Sequence, residues 1–438
     1  MKRLQNETGQ GLLQNKPYMS LMASQLIANL GEWIYILALL TLVGMKWNAS
    51  PLEITATTLC MVIPMLIGGP LSGMLADRME RKTIMIVSDA ARVLIMLLLV
   101  FASSLLHVYV LLLFKGIFDV MFSPAKNGKL KELVPHHQLE QAVSISAIIE
   151  QGSKVIGPAI GGLLTAAFGI TASFYIDAGA FAISALILLF IPRRSTSAAT
   201  AVAVGAPEDE SVKEKSRFKE EFIAGIRIIL SIPIIKYGLL TLCMVILVLQ
   251  IADSQIVVLF RGLPEMTEDM LGWCIAMSGI GTLVAAFLIR FLSRLSTLAK
   301  MGLGGSILGF VFAGAGFLAL YGTSGSFTQA LYVIGFFIAG LGGGLTLIPF
   351  QVMIQQRTPE RFIGRVTGTI GSLTSVAAII GPLTGGLLVT ALGPEIAYVL
   401  SGSGMALIGL ALLAFKRRIL AQDNAAVPAA TTRTEVSA

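Results

Sequence analysis

Long apolar stretches alternate with short polar, charge-bearing ones along nearly the whole chain. About twelve of the apolar stretches reach the ~20 residues that an α-helix needs to cross a bilayer. They run near residues 18–45, 51–75, 83–103, 107–125, 139–168, 171–191, 234–260, 269–289, 301–321, 328–352, 362–391 and 396–415. Backbone in hydrocarbon has no water to bond, so each stretch is predicted to be a helix. The longest interruption lies between Pro192 and Pro233. Its first part, Ser195 to Gly205, is rich in Ala, Ser, Thr and Val and predicts a flexible linker. From Arg217 onward, Phe218, Phe222, Ile226 and Ile229 recur at helical spacing with charges between them. That pattern predicts an amphipathic helix on the inner membrane surface. The tail after Arg418 is polar and Ala/Thr-rich, and is expected to be disordered. The expected parts are a six-helix bundle over 1–192, a cytoplasmic linker over 193–233, a second six-helix bundle over 234–418 and a tail over 419–438.

Composition agrees with lipid as the main solvent. Of 438 residues, 55% are hydrophobic and 13% charged, about half the charged share of a soluble protein. The net charge of +7 does not point to nucleic acid, because the cations sit in short loops between apolar segments. Their distribution sets orientation. With the N-terminus inside, the inner segments carry Lys2, Arg3 and Lys16; Arg78, Arg81 and Lys82; Lys126, Lys129 and Lys131; then a dense set from Arg193 to Lys236. Further along come Arg290, Arg294 and Lys300, then Arg357, Arg361 and Arg365, then Lys416, Arg417 and Arg418. The outer loops hold Lys46 and Arg261. This asymmetry predicts a multi-pass protein of the plasma membrane with both termini in the cytoplasm. Cys60, Cys243 and Cys274 all lie in apolar segments without a CxxC or Cys/His cluster, so no disulfide framework or metal site is expected.

The chain also repeats itself. Pro135–Gly169 aligns without a gap on Pro359–Gly393. Ile156-Gly157-Pro158-x-x-Gly161-Gly162-Leu163-Leu164 matches Ile380-Gly381-Pro382-x-x-Gly385-Gly386-Leu387-Leu388, and Ala167/Ala391 and Gly169/Gly393 match as well. Two related apolar halves are the pattern of a secondary transporter, whose bundles can open first to one side and then to the other.

Between the second and third stretches lies Gly73-Met74-Leu75-Ala76-Asp77-Arg78-Met79-Glu80-Arg81-Lys82. It resembles the G-x-L-x-D-R-x-G-R-K loop of the major facilitator superfamily, with Glu80 where the family has Gly. Either these charges anchor the inner face, or Gly73, Asp77, Arg78, Arg81 and Lys82, joined by Asp89 and Arg92, form an inner-face latch between the halves. Gly152-x4-Gly157-Pro158-x-x-Gly161-Gly162 in the fifth stretch resembles the motif of the superfamily's drug:proton antiporters; the second copy has Val376 in place of Gly152. Small residues allow close helix approach and Pro removes a backbone hydrogen bond. Phe122-Ser123-Pro124-Ala125, Leu133-Val134-Pro135 and Gly225-Ile226-Arg227 resemble the macrolide-efflux and enterobactin-exporter-like branch. The resemblance implies an all-α integral membrane protein, with twelve transmembrane helices in two pseudo-symmetric six-helix bundles.

Ionisable residues at membrane depth each cost ~2.5–3.5 kcal/mol and so need a reason. Glu32, in the first stretch beside Asn29 and Gln25, is the leading proton-binding candidate. Lys115/Asp119 and Glu150/Lys154 are i, i+4 pairs, either self-neutralising or opened by protons or substrate. The resemblance implies a proton-transfer Arg in the fourth stretch, and Lys115 stands near that place. Asp253 is expected to face the cavity, and Asp177 to be a helix-end residue. The run Gly340-Leu341-Gly342-Gly343-Gly344 lacks the Lys-Ser/Thr of a phosphate loop, and no nucleophile–His–acid set is visible.

The expected function is proton-coupled export of amphipathic small molecules by a monomer, driven by the proton motive force, with no cofactor, no metal, no enzymatic activity and no nucleic-acid partner. Scattered polar residues and eighteen Met favour a neutral or cationic amphiphile over a sugar or polyanion. Rival readings are a lipid or lysophospholipid carrier, a siderophore exporter, a proton-coupled importer and a non-transporting membrane receptor.

Overall fold

The computed structural model describes residues 12–135, 138–192, 226–227, 229–230, 232–263, 266–321, 325–358 and 360–435. Within these, the side chains of residues 13, 65–78, 140, 252, 268, 360–365, 367–368 and 424–435 lie outside the description. The described residues are helical nearly throughout. In chain order the main helices are α1 Lys16–Thr41, α2 Pro51–Arg78, α3 Arg81–Val100, α4 Leu105–Leu133, α5 Leu139–Leu189, α6 Pro233–Asp253, α7 Ile256–Arg261, α8 Glu268–Phe291, α9 Thr297–Tyr321, α10 Ser326–Arg357, α11 Glu360–Leu392 and α12 Pro394–Glu435. Among the described residues, ten segments are long and apolar enough to cross a membrane.

Local chemistry explains where helices start and stop. Asn15 accepts a hydrogen bond from the Tyr18 backbone N–H at 3.2 Å and caps α1, with Pro17 in its first turn. Ser50 and Glu53 cap α2 reciprocally: the Ser50 N–H donates to Glu53 Oε2 at 2.7 Å, and the Glu53 N–H to Ser50 Oγ at 3.3 Å. Helix α5 runs for 51 residues and contains both the fifth and the sixth predicted spans. It breaks at Gly169, whose φ of 80° and ψ of 173° belong to a region open essentially to glycine alone. The repeat partner of Gly169 is Gly393, and its φ is 84°. The internal repeat therefore ends, in both copies, on the residue that turns the chain from one span into the next.

Two expectations are corrected. The seventh span is not one helix over 234–260: α6 stops at Asp253 and α7 restarts at Ile256. The tail over 419–438 is not disordered from its start. Ile419 is buried, and Asp423 Oδ1 accepts from the Ile234 N–H at 3.3 Å while Oδ2 faces Arg357 at 3.5 Å. The last helix continues there because these partners satisfy its polar side. The amphipathic linker helix falls largely outside the described residues. Ile226, Arg227, Ile229 and Leu230 are helical, and Ile229 is buried against Ile234 and Ile235.

The chain divides into two compact units, Met1–Ala201 with Met266–Gly279, and Val202–Glu265 with Ile280–Ala438. The first has a core of Tyr18, Met85, Phe122 and Leu188, the second one of Ile235, Leu298, Phe350 and Val366. Each is knit by close helix contacts at small residues. A Cβ at Gly161 in α5 would lie 2.9 Å from the Trp33 carbonyl oxygen of α1. A Cβ at its repeat partner Gly385 in α11 would lie 2.6 Å from the Ile251 carbonyl oxygen of α6. Span five rests on span one as span eleven rests on span seven.

Candidate functional site: a charged cavity in the first unit

The first unit holds a cavity of about 700 Å³ lined by α1, α2, α3, α4 and the two halves of α5. Its apolar wall includes Trp33, Met61, Leu112, Phe122 and Phe181. Its polar wall is a chain of ion pairs. Lys115, 1% exposed, donates from Nζ to Glu32 Oε1 at 2.7 Å, to Glu32 Oε2 at 3.0 Å and to Asp119 Oδ2 at 2.8 Å. Asp119 Oδ1 meets Arg92 Nε at 2.8 Å. Arg92 also donates to Asp89 Oδ1 at 3.0 Å, and Ser184 Oγ donates to Asp89 Oδ2 at 2.6 Å. Aromatic rings cover the cations: Tyr35 lies 4.4 Å from Lys115 Nζ, and Phe122 lies 4.6 Å from the Arg92 guanidinium. Four helical segments thus contribute to one network: α1 (Glu32), α3 (Asp89, Arg92), α4 (Lys115, Asp119) and the second half of α5 (Ser184).

The network's central feature is competition. One ammonium serves two carboxylates on different helices, so the tie between α1 and α4 is strongest while Glu32 is charged. Protonating Glu32 weakens one side of that tie and leaves Lys115 chiefly to Asp119. The arrangement can therefore translate a proton into a change of contact between two helices.

A second polar patch lies toward the C-terminal end of α4. Lys126 is buried and donates to Ser146 Oγ at 3.4 Å, and Ser146 Oγ donates to Gln25 Oε1 at 2.8 Å. Glu150 and Lys154 pair at 3.2 Å on the cavity rim, each about half exposed. The Gly-Pro segment packs behind the cavity: Gly157 lies against the Trp33 ring, and Gly162 against the backbone of Gly272 and Ala276 in the first part of α8. Gly152 has open space beside it.

Several sequence expectations change here. Asp89 and Arg92 do not sit with the inner-face charges but in the buried network. Arg92 is eleven residues into its segment from Arg81, about 16 Å at 1.5 Å per residue, a depth the spacing alone could have revealed. Arg81 donates to the Gly128 carbonyl at 3.1 Å and pairs with Glu132 at 2.9 Å. Lys82 donates to the Leu189 and Ile191 carbonyls at 2.8 and 2.7 Å, satisfying the exposed end of α5. Both tie helix ends within the first unit. The side chains of Gly73, Asp77 and Arg78 fall outside the description. Asp253 ends α6 with an exposed side chain in the second unit and takes no part in this cavity. Asp177 is not a helix-end residue: it lies eight residues beyond the Gly169 turn and is 0% exposed. Tyr35 and Phe181 carry no signal in the sequence, because aromatic residues are ordinary in such helices, and Lys126, expected as an inner-segment cation, is instead buried on the cavity wall.

The sequence matches the Major Facilitator Superfamily over residues 21–268 and again over 263–435. The chain belongs to that superfamily. Each matched range contains one copy of the internal repeat. The MFS-type transporter YfiS of Bacillus subtilis (strain 168), itself uncharacterized, is 41% identical over 402 residues, covering 92% of this chain and 94% of its own. The multidrug efflux pump Tap of Mycolicibacterium fortuitum is 25% identical, covering 94% and 98%. The enterobactin exporter EntS of Shigella flexneri is 28% identical, covering 83% and 82%. Among solved structures, a bacterial homolog of the human lysosomal transporter Spinster superposes with a TM-score of 0.62 at 16% identity, covering 94% and 97%. A POT family transporter also gives 0.62, at 15% identity, covering 92% and 96%. This major facilitator chain is a multi-pass membrane transporter and not an enzyme.

Proposed function

We propose that this transporter exports amphipathic small molecules from the cytoplasm in exchange for protons, by alternating access. The observation that carries the reading is Lys115 shared between Glu32 and Asp119 on the wall of a mostly apolar cavity. A proton on Glu32 and a ligand in the cavity act on the same contact, which is what exchange requires. The apolar lining suits the greasy part of a ligand, and the relatives Tap and EntS are an efflux pump and an exporter. Orientation follows the inner Lys/Arg excess, with both termini in the cytoplasm and the chain in the cell membrane.

A second reading, export of an anionic amphiphile such as a siderophore, is favoured by the cavity's cations. Arg92, Lys115, Lys126 and Lys154 line it against Glu32, Asp119 and Glu150, and among the described residues Lys126 forms no ion pair. Proteoliposomes with an imposed pH gradient test both, with ethidium and enterobactin as probes. Ethidium accumulation that collapses with the gradient supports the first reading, and enterobactin accumulation the second. Binding without flux would point to a receptor, movement of labelled phospholipid to a lipid carrier, and proton and substrate entering together to an importer.

A further inference from the structure

One buried acid stands outside the ion-pair chain. Asp177, on the second half of α5, is 0% exposed, and among the described residues neither of its carboxyl oxygens has a hydrogen-bond partner. Its Oδ1 lies against Gly31, the residue before Glu32; a methyl group at Gly31 would overlap it, and would also come within 2.9 Å of Ala180. The charged and titratable groups near Asp177 come from three helices that pack on α5. They are Glu32 and Tyr35 from α1, Arg92 from α3, and Lys115 and Asp119 from α4.

The charges do not balance if every acid is ionised. Glu32, Asp89, Asp119 and Asp177 face two cations, Lys115 and Arg92, leaving two negative charges in excess inside a membrane protein. Buried charge without a partner is the most expensive arrangement available. Asp119 has both cations, Asp89 has Arg92 and Ser184, and Glu32 has Lys115. Asp177 has none of these.

We infer that Asp177 is a second proton-binding site of this carrier, seated behind Glu32 and working with it in coupling. The inference rests on the proton-coupled reading above. While Lys115 bridges Glu32 and Asp119, Asp177 holds a proton as a neutral acid. When Glu32 takes up a proton and withdraws from Lys115, the ammonium is left with a single counter-ion. The Asp177 O–H bond can then break and its proton leave through the cavity, because the resulting carboxylate has a cation available. Two protons are thereby handled in one cluster, with no other bond made or broken.

Infrared spectroscopy of the full-length protein in detergent, at pH 7 and without substrate, reads the neutral acid directly. Asp177→Asn matches the neutral acid in shape and is expected to fold and to remove one protonated-carboxyl C=O band. Asp177→Ser, a smaller replacement, is expected to remove the same band. A band unchanged in both variants overturns the inference. In proteoliposomes, ethidium accumulation driven by a pH gradient is expected to fall at least about tenfold in either variant, with flux down an ethidium gradient retained. Wild-type accumulation in the variants makes Asp177 a structural acid and defeats this inference while leaving proton coupling intact. No gradient-driven flux of ethidium or enterobactin in the wild type defeats the coupling reading itself, and this inference with it.

Discussion

Lys115 has three oxygen partners and one tyrosine ring within reach, and that inventory decides what single substitutions do. Removing the cation strands Glu32 and leaves Asp119 with Arg92 alone, whereas removing Glu32 leaves the Lys115–Asp119 pair intact. Breaking a buried pair by deleting one partner costs about 3–5 kcal/mol. Lys115→Met is therefore expected to lose stability on that order, and Glu32→Gln distinctly less. The double variant Glu32→Gln with Lys115→Met should be less damaged than the sum of the two singles. Thermal unfolding in detergent measures all three, and strictly additive losses would rule out the shared contact. Glu32→Gln should also abolish gradient-driven transport while retaining ligand binding. Accumulation at the wild-type rate would make Glu32 structural. Glu32, Lys115 and Asp119 were legible in the sequence because each is an ionisable residue in an apolar run. Their convergence was not, since i, i+4 spacing speaks only of neighbours on one helix and says nothing of α1 meeting α4. Asp89 and Arg92 were assigned to the surface because they follow a basic loop, although helical rise places them well inside.

At the scale of helices, glycine does two separate jobs. Gly169 and Gly393 supply positive φ where one span turns into the next, and Gly157 and Gly161 let α5 rest on α1. The two jobs predict different losses. Gly169→Ala has open space for its methyl group, so its cost is backbone strain alone, about 1–3 kcal/mol. Gly161→Val meets the Trp33 backbone and should cost about 1–3 kcal/mol by overpacking. Gly152→Ala has neither problem and should stay within about 0.5 kcal/mol. Equal effects at Gly152 and Gly161, measured as shifts in unfolding temperature, would show that the close approach is not what holds α5 to α1. The helices themselves were legible, because length and hydropathy dictate them in a bilayer. The break of the seventh span at Ser254 and Gln255 was not, since no Gly or Pro marks it.

For the whole molecule, the inner excess of Lys and Arg predicts sidedness. In a background lacking Cys60, Cys243 and Cys274, a membrane-impermeant maleimide applied from outside should label a cysteine at 265 and not one at 211. The reverse pattern would invert the topology. The duplicated architecture was legible because the repeat preserves the residues that shape helix contacts. The ion pair on the cavity rim, Glu150 with Lys154, has no such echo, and that difference has a historical meaning. Where the first copy carries Glu150, Gly152 and Lys154, the second carries Thr374, Val376 and Ala378. The duplication has kept its joinery and let its ionic residues drift apart. The halves descend from one template but are no longer interchangeable parts. A chimera carrying two first copies should assemble, yet it would bring an ammonium and a carboxylate into a bundle that evolved without them.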